Sequence, residues 1–93
     1  GTAGFAVGDE VFGGCPGMVG GWAPRARVTA SFAAHRPVGV SAVDAAVLPV
    51  AAGTAHDALT GLDLPAGATL VVNGAGGGVG VAVVQLAAAR GLR

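Results

Sequence analysis

The sequence predicts an α/β chain, and three observations carry that prediction. Thr69-Leu70-Val71-Val72 is a short, β-branched apolar run of the kind that forms a strand buried on both faces. A glycine-dense stretch, Asn73-Gly74-Ala75-Gly76-Gly77-Gly78-Val79-Gly80, follows it directly. Val79 to Arg90 then has helix-compatible spacing, with Val79, Val83 and Leu86 on one stripe and Gly91 where a helix C-cap glycine belongs.

The elements before that unit read as follows. Residues 1 to 37 are rich in turn formers and short β-type runs. Val7-Gly8-Asp9-Glu10-Val11-Phe12 is a turn feeding a short strand, because glycine accepts positive φ and aspartate can bond its own backbone. Trp22 to Val28 predicts a second strand, with Pro24 confined to an edge or bulge by its missing N–H. Gly13-Gly14-Cys15-Pro16-Gly17 between them is a loop by composition, and His35-Arg36 reads as a solvated loop. From residue 41 the character becomes helical. Ser41 with Asp44 is a capping-box-like start. Ala42 to Leu48 predicts a short helix that Pro49 ends or kinks, and a second helix is expected from about Ala51 to Leu62. Leu64-Pro65-Ala66-Gly67 is a turn.

Composition narrows the class. Apolar residues make up 53% of the 93 residues and charged ones 11%, which is oily for a small free-standing domain, whose large relative surface normally carries more charge. The longest apolar run, Val81 to Val84 and Leu86 to Ala89, is broken by Gln85 and falls short of the ~18–20 residues that span a bilayer. The apolar excess is therefore expected to be covered by further protein, not by membrane. Five arginines balance five acids and there is no lysine, so no electrostatic footprint for nucleic acid or anionic lipid exists. Cys15 is the single cysteine; it excludes an internal disulfide and a Cys-only zinc site, and reads as an inert loop thiol. The chain opens on Gly1 with no signal-peptide pattern, so it reads as an internal piece with a cytoplasmic location.

The glycine stretch carries the chemistry. A strand turning directly into a helix leaves the first helical N–H groups without partners, and these donors with the positive end of the helix dipole suit a pyrophosphate. Side chains there would hold the phosphates off, so glycines let the backbone approach. The strict GxGxxG pattern is not met from Gly74. It appears as Ala75-x-Gly77-x-x-Gly80, in which Gly77 would admit the pyrophosphate and Gly80 would let the helix pack on the strand. The plainer alternative is a glycine-rich loop in a chain with 18 glycines. A Walker-type phosphate loop is excluded by the absence of lysine.

Four stretches together resemble the zinc-free quinone oxidoreductase branch of the medium-chain dehydrogenase/reductase family. They are Val7-Gly8-Asp9-Glu10-Val11-Phe12-Gly13, Ala45-Ala46-Val47-Leu48-Pro49, Gly53-Thr54-Ala55 and Asn73 to Gly80, with Gln85-Leu86-Ala87 after them. Their order and spacing match the family across nearly the whole chain. The resemblance implies that residues 1–40 end a GroES-like catalytic β domain and residues 41–93 begin a Rossmann cofactor-binding domain, truncated at both ends. It implies hydride transfer from NADPH, with NADH left open, to a small-molecule electrophile: a quinone, an enone or an enoyl thioester. An enoyl reductase domain of a polyketide synthase shares the same pattern, and a non-catalytic nucleotide-binding homologue is the reading from another class. A homo-oligomeric parent is expected, with no nucleic-acid or membrane partner.

Cofactor-binding residues carried over from the family are Thr54, near the nicotinamide end, and Ala75, Gly76, Gly77, Gly78, Val79 and Gly80 around the pyrophosphate. Thr54 could equally be a helix residue bonding its own backbone. No catalytic residue is assigned, because the cofactor supplies the chemistry and the protein its orientation. No zinc is expected, since the relatives that carry a structural zinc place a four-cysteine lobe where this chain has only Cys15. Pro24-Arg25 and Asn73 depart from the family's common residues. His56-Asp57 reads as an exposed pair, since adjacent helix residues do not share a face. The group that would read the cofactor's 2′ position lies ~20 residues beyond the glycine motif, and the sequence ends at Arg93, short of that position.

Overall fold

A computed structural model describes residues 4–93. It is α/β and divides into two compact units, the first ending at Pro49 and the second running Val50–Arg93.

In the first unit, β1 (Val11–Gly13) pairs antiparallel with β2 (Ala33–His35), in the register Val11↔His35, Phe12↔Ala34 and Gly13↔Ala33. Arg36 N–H to Glu10 O at 2.8 Å and Gly14 N–H to Phe32 O at 3.1 Å extend the pairing by one bond at each end. The expected strand over Trp22–Val28 is absent. Trp22 to Arg25 bends, and a single 3-10 turn at Ala30–Phe32 delivers the chain into β2 instead. Pro24 has no N–H to offer a ladder, whereas Ala33 to His35 offers an uninterrupted set.

His35 and Arg36 are not a solvated loop. The Asp9 carboxylate accepts from Ala6 N–H at 2.7 Å and meets His35 Nε2 at 3.0 Å. The Phe5 ring stacks on His35 with centroids 4.8 Å apart. Arg36 pairs with Glu10 and donates to the carbonyl of Val40. The β2 end is thus clasped to the turn before β1 by the Arg36–Glu10 ion pair and the His35–Asp9 hydrogen bond.

Helix α1 (Ala42–Leu62) is one unbroken element of 21 residues, not two. Ser41 caps it: Asp44 N–H donates to Ser41 Oγ at 3.0 Å, and the hydroxyl donates to the Asp44 carboxylate at 2.6 Å. Pro49 removes one helical donor and crowds the carbonyl of Ala45. The helix continues through it because Ala45 on one side and Ala55 and Leu59 on the other are buried, at 0%, 0% and 3% exposure. The left-handed Asp63, at φ 45°, ends it.

Among the described residues the second unit contains no regular strand. Residues 69–72 lie extended, then comes the glycine turn, then α2 (Gly78–Ala89). Leu92 N–H to Ala87 O and Gly91 N–H to Ala88 O, both 3.0 Å, close α2 in a Schellman motif around the left-handed Gly91. The chain then comes back beside its own extended segment. Arg93 N–H donates to Ala68 O at 2.8 Å, and Leu70 N–H donates to Arg93 O at 2.6 Å. One residue bonded to the two flanking a partner is the signature of parallel pairing. Among the described residues Val71 and Val72 make no backbone bond, and Val71 is 87% exposed, so the expected strand is extended but not buried on both faces. The inward stripe of α2 also differs from expectation. Ala87 is buried and Val83 and Leu86 are half-buried, whereas Val79 is exposed.

Little is buried. Among the described residues the buried apolar side chains are Ala45 in the first unit and Ala55, Leu59 and Ala87 in the second, while Val43, Val47, Val50, Val81 and Val84 are exposed along the helices. The accessible surface is 6850 Å². A compact body of 8.7 kDa would show about 4700 Å², and two separate bodies of half that mass about 5700 Å² together. The apolar excess in the composition is therefore on the surface. Among the described residues no helix is long and apolar enough to cross a membrane.

Two predictions follow from these contacts. The hydrogen bond from Ala6 and then the contact with His35 hold the Asp9 carboxyl below its ordinary pKa, so the clasp is intact above the ordinary carboxylate range and is lost as pH falls through the depressed value. The Ala6 amide resonance should titrate with a midpoint below that of an ordinary aspartate, and Asp9→Asn should abolish that titration. Pro49→Ala restores a helical donor to the Ala45 carbonyl. It should raise the unfolding free energy by about 1–3 kcal/mol in chemical denaturation.

Candidate functional site

The glycine stretch forms one exposed turn between the extended segment and α2. Gly74 opens it with φ 79°, a conformation that side chains resist. Its carbonyl accepts Gly77 N–H at 3.0 Å, which folds the turn back on itself. Gly77 is the N-cap of α2, in extended conformation and with no side chain to cap the helix. The first bond into the helix runs from Val81 N–H to Gly77 O at 2.8 Å. Among the described residues the N–H groups of Gly78, Val79 and Gly80 make no bond back into the turn. Three donors at the positive end of a helix dipole therefore have no partner in the turn.

The glycines differ in what they accomplish. A Cβ on Gly76 would meet nothing within 4 Å, and one on Gly77 would lie 3.4 Å from Gly74 O, so both positions keep the outer face of the turn bare. Gly80 is under a different constraint. A Cβ there would lie 2.2 Å from Gly74 O and 2.8 Å from Ala75 Cα. Its bare Cα lets the helix approach the turn itself, not the strand. Gly74 is the residue sequence reasoning passed over. Its left-handed φ and its carbonyl organise the turn, and the strict motif's mismatch at Val79 had drawn attention to Ala75 instead.

Ala75 to Gly80 lie on one turn, and Thr54 lies in α1. The Thr54 hydroxyl donates to Val50 O of its own helix at 2.7 Å, the backbone-bonded state that β-hydroxy residues adopt in helix interiors. His56 and Asp57 form the expected exposed pair, 3.4 Å apart. Among the described residues no three His, Cys, Asp or Glu side chains converge as metal ligands would.

No family model matches the chain, and no solved structure matches it significantly. Curated sequences do. The chain is 44% identical over 84 residues to an erythronolide synthase of Saccharopolyspora erythraea, covering 89% of this chain and 2% of that one. It is 36% identical over 87 residues to a highly reducing polyketide synthase of Penicillium crustosum, covering 92% and 4%. It is 35% identical over 91 residues to the 2-methylene-furan-3-one reductase of Solanum lycopersicum, covering 90% and 24%. The chain thus spans a small part of each of these relatives. They support the medium-chain dehydrogenase/reductase reading in its broad form, and they do not single out the quinone oxidoreductase branch.

Proposed function

We propose that this chain is part of an NAD(P)H-dependent reductase, and that the turn Gly74–Gly80 with the start of α2 holds the cofactor's pyrophosphate. The observation that carries this reading is the bare turn with three N–H donors that make no bond back into it, at Gly78, Val79 and Gly80. The group fits the residues present: an anion needs donors and close approach, and the absence of Cβ atoms at Gly76 and Gly77 leaves room for it. Bound there, a nicotinamide nucleotide supplies hydride to an electron-poor double bond. The residues of this chain bind its phosphates and orient it. Residues 1–40 belong in this reading to a GroES-like domain and residues 41–93 to a Rossmann domain.

The acceptor class we favour is a conjugated carbonyl, with an enoyl thioester ahead of a free quinone. Two of the relatives are polyketide synthases, and a third is a reductase named for a furanone with a conjugated methylene group. A quinone is electronically similar, because in all these acceptors added hydride is accommodated as negative charge on a carbonyl oxygen. Thr54 is retained near the nicotinamide end on the resemblance, where its hydroxyl would have to turn away from Val50 O.

Fluorescence titration of the full-length enzyme with NADPH, and with NADH alongside, tests the reading. Gly77→Asp places a carboxylate where the phosphates lie, and its Cβ is tolerated by the turn. It should weaken binding about tenfold or more by charge repulsion. If a folded Gly77→Asp enzyme binds either nucleotide as tightly as the wild type, the turn holds no pyrophosphate. Gly80→Ala acts through folding, since its methyl meets backbone and not a yielding side chain. It should cost about 3 kcal/mol in chemical denaturation.

A further inference from the structure

Helix α1 meets α2 at both of its ends within the second unit. At the start, a Cβ built on Gly78 would lie 4.0 Å from the Cβ of Ala51, so α1 backs the first residue of α2. At the far end, Arg90 Nη2 donates to Thr60 Oγ1 at 3.1 Å, across 30 residues of sequence. From Ala51 to Thr60 and from Gly78 to Arg90 the chain runs in the same sense, with roughly 14 Å of α1 between the two contacts. A helix has a fixed rise per residue, so an axial slip at Arg90 moves the turn at Gly78 as well.

The Arg90 bond has an unusual partner. Arg90, Thr60 and Asp63 line one surface cavity of about 450 Å³ with Leu59 and Leu64. A guanidinium ordinarily takes a carboxylate when one is at hand. Among the described residues Arg90 forms no ion pair with Asp63 and bonds the neutral hydroxyl of α1 instead. Asp63 sits in left-handed conformation at the end of α1, outside the helical register that sets Thr60. The bond made is thus the one that ties helix to helix.

We propose that Thr60 and Arg90 are a positioning pair that sets the axial placement of α2, and through it the placement of the Gly78, Val79 and Gly80 N–H donors against the pyrophosphate. Neither side chain touches the cofactor. The role rests on the reading of the turn as a pyrophosphate site.

The test uses the full-length enzyme and two readouts, the KM for NADPH and the inhibition constant of inorganic pyrophosphate competing with it. Arg90→Ala and Thr60→Val should each raise both constants about two- to fivefold with kcat unchanged. The double variant should be no worse than the poorer single, because both remove the same bond. Thr60→Ser, which keeps the hydroxyl, should behave as wild type. Folded single variants with unchanged constants, or a double variant whose losses multiply, would overturn the pair while leaving the pyrophosphate reading intact. A wild-type enzyme that binds neither NADPH nor pyrophosphate would overturn both.

Discussion

The carbonyl of Gly74 and the α-carbon of Gly80 share a space that has no room for a methyl group. Much of the second unit depends on that contact. It lets the chain reverse from extended backbone into α2 within a few residues, and it sets the start of the helix, whose first donors have no partner in the turn. The left-handed φ of Gly74 and the bond from Gly77 N–H to its carbonyl belong to the same constraint. A turn made this way presents donors with no side chain between them and an incoming anion, which is what phosphate recognition by backbone requires.

The rest of the unit holds that turn in place. Ala55, Leu59 and Ala87 are buried in it, the Schellman motif at Gly91 turns the chain back, and Arg93 bonds across to Ala68 and Leu70. These contacts are few. Most valines along α1 and α2 stay exposed. The proposal that the chain is part of a larger reductase accommodates this, since apolar helix faces are normally covered by the rest of a fold.

The comparison of expectation with structure is uneven along the chain, for physical reasons. The glycine turn, the Schellman glycine and the Ser41 cap were legible because each is a local rule: a particular residue type satisfies a backbone need within three or four residues. The second strand was misplaced because strand pairing is not local. Trp22–Val28 and Ala33–His35 are comparable as isolated segments, and the decision belongs to β1, whose partner must be able to donate and accept in register. Pro49 was weighed by its intrinsic cost alone, and burial on either side of it outweighed that cost. His35 and Arg36 looked like solvated loop residues because Asp9 and Glu10, their partners, lie 26 residues earlier.

By itself the sequence determined the α/β class, the position of the glycine turn and the lack of an apolar run long enough to span a membrane as a helix, because composition, periodicity and glycine placement act over short stretches of chain. Only the tertiary structure decided which glycine organises the turn and which merely leaves it bare. It also decided that Thr54 bonds its own helix, and that Arg90 reaches Thr60 and not Asp63. Those are questions of which atoms meet, and atoms distant in sequence meet only once the chain has been brought back on itself.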